Sequence, residues 1–111
     1  MVVRHKVSRE EVEKFFRPHM EKLRAGGYEV CDTKPAPGGH YVSYDVFKKP
    51  ENARIWDIGK KTKMARISSW TPSRSLDINA YCKDVEKDIL MIAEDWENEF
   101  GENTARVVEH Y

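Results

Sequence analysis

Seven cations, Lys48, Lys49, Arg54, Lys60, Lys61, Lys63 and Arg66, crowd between positions 48 and 66, opposed there only by Glu51 and Asp57. Trp56 lies among them, and Tyr41 and Trp70 flank the run. Ammonium and guanidinium groups of this kind can meet phosphates or an acidic protein surface, and aromatic rings interleaved with them offer stacking planes. The competing reading is a solvated face, because lysines on exposed strands also discourage edge-to-edge association. A second charged set has the opposite sign. Asp84, Asp88, Asp95 and Glu99, with Glu94 and Glu97 among them, make a negative surface that resembles a phosphate backbone, a form suited to blocking a nucleic-acid-binding protein. Its plain alternative is the solvated side of an outer helix.

Equipment for bond-making chemistry is sparse. His5, His19, His40 and His110 are scattered singly, and no pair has the i, i+4 spacing of a helical metal site. His40, next to Gly38-Gly39 and Tyr41, is the one histidine placed to line a pocket. Gly26-Gly27 ends an apolar-periodic segment and Gly38-Gly39 lies in a turn, so neither cradles a phosphate at a helix start. The expectation is a non-enzymatic protein with no catalytic residue, metal or cofactor.

Composition frames this reading. The 111 residues suit one domain over 1–111, with 40% hydrophobic and 34% charged residues. The formal charge is zero, but it is unevenly spread. Residues 1–46 hold 8 basic and 7 acidic groups, 47–76 hold 8 and 2, and 77–111 hold 3 and 10. Neutrality is thus a basic segment cancelled by an acidic one, which creates local fields that the net figure conceals. The longest apolar run, Ile89–Ala93, is far below the roughly 20 residues that span a bilayer. Met1–Lys6 lacks the apolar region of a secretory signal. A cytoplasmic protein with no membrane partner is expected, and Cys31 and Cys82, outside any C-x-x-C spacing, read as thiols more readily than as a disulfide.

The elements that must position these residues follow from periodicity. Ser8-Arg9-Glu10-Glu11 is a capping box, and Val12, Phe15, Phe16, Met20 and Leu23 form one helical stripe as far as a left-handed stop at Gly26. Pro18 should kink that helix or split it near Phe16. From Tyr28 to Trp70 the period becomes two, with Tyr28/Val30, Val42/Tyr44/Val46, Ile55–Ile58 and Lys63–Ile67 reading as four strands. The last two are joined by a hairpin at Gly59–Thr62. Ile78, Tyr81, Cys82, Val85, Ile89, Ile92, Ala93, Trp96 and Phe100 then trace a second helical stripe, capped at Ser75 or Asp77 and stopped at Gly101. Thr104–Tyr111, with Val107-Val108, either adds a last strand or trails off. The expected architecture is α+β: a kinked N-terminal helix, a four-stranded antiparallel meander and a long C-terminal amphipathic helix across one face.

Two family likenesses attach to these motifs. "GGHYVSYDVF" followed by "GKKTKMA" is similar to the second strand and lysine-rich helix start of double-stranded-RNA-binding domains, although here Met64–Trp70 has strand character and Pro72 intervenes. The order helix, strands, helix, strand partly resembles the PD-(D/E)xK nuclease core. That likeness implies metal carboxylates at Asp45 and Asp57 with Lys60 as the lysine, but Asp57 and Lys60 stand three apart where the motif needs two on one strand face. The favoured function is recognition: a small inhibitor or adaptor, of the kind phage and mobile elements encode, binding a larger protein or nucleoprotein complex by charge. Direct nucleic-acid binding through 48–66 is the first alternative, and a degenerate nuclease fold the second.

Overall fold

The computed structural model describes residues 8–33, 41–48 and 61–111. Its elements run α1 (Arg9–Ala25), β1 (Glu29–Thr33), β2 (Tyr41–Lys48), β3 (Thr62–Trp70), β4 (Ser75–Ala80), α2 (Glu86–Phe100) and β5 (Ala105–Glu109). The architecture is α+β. Among the described residues the strands form a single sheet in the order β1-β2-β3-β4-β5. The first four make an antiparallel meander, and β5 lies parallel to β4 after the crossover through α2.

Helix α1 begins as its sequence demands, with the Ser8 hydroxyl accepting from the Glu11 amide at 3.2 Å. It continues through Pro18 as one element of 17 residues, so the expected split does not occur. Pro18 is exposed, whereas Val12, Phe16, Met20 and Leu23 on the opposite stripe are buried, and that packing outweighs one missing amide donor. The left-handed residue after the helix is Gly27 (φ +97°), not Gly26.

The larger departure concerns residues 75–80. They are strand β4, not the opening of the second helix, and Ser75 and Asp77 are strand residues, not caps. Leu76, Ile78 and Ala80 are buried while Asp77 is exposed, a period of two that is satisfied by ladders to β3 on one side and β5 on the other. Helical structure starts only with a 3-10 turn at Lys83–Val85. The residues expected as strand at Ile55–Ile58 lie outside the described ones, as do Gly59 and Lys60 of the expected hairpin; among the described residues the fourth strand of the meander is β4.

Both helices pack on the same side of the sheet. Strand positions Val30, Val42, Tyr44, Val46, Ala65, Ile67, Leu76 and Ile78 point into one buried cluster with the stripes of α1 and α2. At its centre Trp96 stacks on Phe16 (5.7 Å between ring centres) and meets Phe15 edge-on at 5.3 Å. A register shift between Val46 and Phe47 leaves Met64 without a partner in β2. This bulge lets Met64 and Ala65 both be buried, and it sets Lys63 opposite Phe47 on the far face.

Pro18→Ala should stabilise the protein, because it restores a helix-interior amide without disturbing the buried stripe. A gain of about 1–3 kcal/mol is expected from urea unfolding monitored by circular dichroism. A loss would mean that the backbone bend at Pro18 is itself required.

Candidate functional site

The two charged sets occupy opposite sides of the sheet. On the helical side, Asp84 sits in the turn before α2, and with Asp88 it acts on the Tyr28 hydroxyl, which partial burial raises above its ordinary value. Asp95 lies 3.3 Å from His19 Nε2 on α1. Asp95 and Glu99 also line an open groove of about 620 Å³ between the helices, with Glu11, Lys14, Phe15 and Pro18 on its other wall. Asp95 and Glu99 therefore lie on the α1-facing edge of α2, while Asp84 and Asp88 lie toward Tyr28.

The crest of α2 carries residues the sequence reading passed over. Leu90 is 48% exposed and Met91 44%, between Lys87 and Glu94, which are also exposed. The Lys22 ammonium reaches the Met91 sulfur at 3.2 Å. Beyond them Tyr111, itself half exposed, lies against Glu86 and Glu109. A signal for this was present: Ile89–Ala93 is a run of five consecutive apolar residues, and at 3.6 residues per turn a helix lying on one sheet cannot bury all five. Ile89, Ile92 and Ala93 go inward, so Leu90 and Met91 stay out.

The uncovered face of the sheet holds the described cations of the basic run, apart from Lys48. Arg66 donates from Nε and Nη2 to the two oxygens of Asp45, directly across the β2–β3 ladder, at 2.8 and 3.2 Å. Lys63 reaches the same carboxylate at 3.3 Å, and Lys61 lies 2.6 Å from Glu29. The Arg66 hydrogen bonds, opposed by partial burial and aided by Lys63, hold the Asp45 carboxyl below its ordinary range. Glu29 raises the Lys61 ammonium and Asp45 raises the Arg66 guanidinium. These cations are thus partnered within the sheet, by β1 and β2, and not by the acids of α2. Lys48 stands apart: it acts on Tyr28, on the helical side. Lys49, Arg54, Trp56 and Lys60 lie outside the described residues, as do His40 and Asp57.

Aromatic rings join this face. Tyr41 packs on Trp70 with ring centres 4.6 Å apart, Tyr81 stacks on His110 at 5.0 Å, and the Lys63 ammonium stands 5.8 Å from the centre of the Tyr81 ring. Tyr81, expected on the second helical stripe, and His110, expected as an isolated histidine, are both exposed on this face. Cys31 and Cys82 are free thiols.

Neither family likeness gains support from this geometry. The lysine-rich segment enters strand β3, where a double-stranded-RNA-binding domain opens a helix. Asp45 is engaged by two cations, and among the described residues no three His, Cys, Asp or Glu side chains converge as metal ligands. No protein-family model matches the chain, and no curated protein or solved structure is significantly similar to it. No helix among the described residues is long and apolar enough to cross a membrane.

Among the described residues, His19 and Asp45 shape the pH response below neutrality. Burial lowers the His19 imidazole below 6.5, outweighing the pull of Asp95, with Lys22 lowering it further. The folded state therefore disfavours the proton, so this contribution to stability is complete above about pH 6.5 and is lost as pH falls through the folded value. Asp45, also lowered, contributes fully above about pH 4 and loses its contribution at more acid pH. Urea midpoints measured from about pH 3 to pH 8 should fall in two steps. His19→Gln should remove the upper step and Asp45→Asn the lower one; a profile unchanged in both variants would refute the assignment.

Proposed function

We propose that the protein is a non-enzymatic recognition domain, an inhibitor or adaptor, that docks the acidic side of α2 onto a basic surface of a larger protein or nucleoprotein complex. One observation carries this reading: the negative surface of α2 is not cancelled by the cations of β3 and has exposed Leu90 and Met91 at its crest. Residues 83–102 contain eight carboxylates against Lys83 and Lys87. Such a field accelerates encounter with a positive partner, and desolvating two large apolar side chains at the centre of the contact supplies affinity that charge alone does not. An apolar pair inside a charged rim is the usual composition of a docking patch. Free Cys31 and Cys82 are compatible with action in the reducing cytoplasm.

The test compares capture of partners from the native cells by the wild-type protein, by Leu90→Ser/Glu94→Lys on the crest of α2, and by Arg106→Glu on the far side of the sheet. All three should show the same circular dichroism. The α2 variant should lose the specific partner by about tenfold or more, and the wild-type interaction should weaken as salt rises. Equal capture by the wild-type protein and the α2 variant would reject α2 as the docking surface.

A further inference from the structure

The ladder registers arrange the uncovered face of the sheet into four cross-strand rows. Tyr41, Trp70 and Ser75 form the first, and Thr33, Ser43, Ser68, Asp77 and Arg106 the second. Cys31, Asp45, Arg66, Asn79 and Val108 form the third, and Glu29, Phe47 and Lys63 the fourth. Tyr81 and His110 extend the fourth row: the Tyr81 amide donates to the Met64 carbonyl and the His110 amide to the Ala80 carbonyl. No described helix packs on this face, and its two ends are aromatic. Tyr41 is 47% exposed and Tyr81 39%. At a strand rise of about 3.3 Å per residue, the seven steps from Lys63 to Trp70 set the two aromatic ends roughly 20 Å apart.

We propose that this face binds single-stranded nucleic acid, with Tyr41 on Trp70 and Tyr81 on His110 as stacking platforms and Lys61, Lys63, Arg66 and Arg106 meeting the backbone. Three features select this occupant. First, the exposed large apolar groups here are rings, which suit the faces of bases; between them lie serines, Asn79 and Asp77, whose hydroxyl, amide and carboxylate groups match base edges. Second, the cations outnumber Glu29, Asp45 and Asp77, and two of those carboxylates hold their cations in place. Arg66 uses two of its five N–H donors on Asp45 and keeps the others for a phosphate. Third, Arg106 lines a depression of about 320 Å³ with Ser68, Asp77, Asn79 and Val108, midway between the aromatic ends. A flat face with protruding rings fits splayed bases; a duplex hides its base faces. This surface is separate from the acidic side of α2, so it does not depend on the function proposed above.

Fluorescence anisotropy with labelled oligonucleotides of about 12 nucleotides tests it, using single-stranded RNA, single-stranded DNA and the corresponding duplex at low and physiological salt. Both single strands, or one of them, should bind more tightly than duplex by about tenfold or more, with affinity falling as salt rises. Tyr41→Ala and Tyr81→Ala should each weaken binding about tenfold, Tyr41→Phe and Tyr81→Phe should retain it, and Arg106→Ala should shallow the salt dependence. Leu90→Ser/Glu94→Lys should bind like wild type. Absence of binding at low salt, preference for duplex, or equal affinity in the Tyr→Ala variants would overturn the proposal; a protein captured on this face in their place would identify it as a protein-docking surface.

Discussion

The arrangement depends on where Trp96 is buried. Its indole fills the space between α1, α2 and the sheet, in contact with Phe15, Phe16 and Phe100, while its N–H donates to the Arg74 carbonyl at 3.2 Å. Arg74 has φ +53°, a left-handed conformation unusual for a residue with a side chain, and it stands between the 3-10 turn after β3 and the start of β4. One side chain thus joins the middle of α2 to the corner that turns the chain from β3 into β4. Burying so large a ring fully in a chain of this size concentrates the apolar mass on one side of the sheet. Both helices are drawn to that side, and the other face is left to polar rows and exposed rings.

One-sided burial also determines the electrostatics. Carboxylates on α2 and cations on β3 are separated by the buried cluster, so they do not meet; each cation is answered by a neighbour on its own sheet. Asp45 and Arg66 are directly opposed across a ladder, where a bidentate pair forms without long side chains having to search for one another. The bulge at Met64 brings Lys63 to the same carboxylate. The sheet face is therefore ordered and nearly balanced, whereas α2 remains strongly negative.

Much of this was legible along the chain, and what was not has a physical cause. The capping box at Ser8, the stripe of α1, the alternation through β2 and the inward residues of α2 from Ile89 onward all express local spacing, and each appears where that spacing placed it. Strand β4 was hidden because Ile78, Tyr81, Cys82 and Val85 fit a helical stripe as well as Leu76, Ile78 and Ala80 fit a strand. The choice is made by pairing with β3 and β5, which no local pattern contains. The segregation of charge could be counted from the sequence. The neutralisation of Arg66 by Asp45 could not, since it joins residues 21 apart through a register that the bulge adjusts. Tyr81 and His110 are brought together by the parallel crossover, and for the same reason their stacking left no trace in spacing.

The two faces differ in what a partner must disturb. Contact with Lys61, Lys63 or Arg66 has to share or displace an existing carboxylate, so long-range attraction there is weak and binding must come from close fit, ring stacking and spare donors. Contact with α2 breaks no ion pair at its crest: Leu90 and Glu94 are already presented to solvent, with six like charges in excess along the segment around them. A partner of positive potential would be attracted to that side from a distance, and apolar burial would then retain it. Because the core lies between the faces, a contact on one would leave the other accessible.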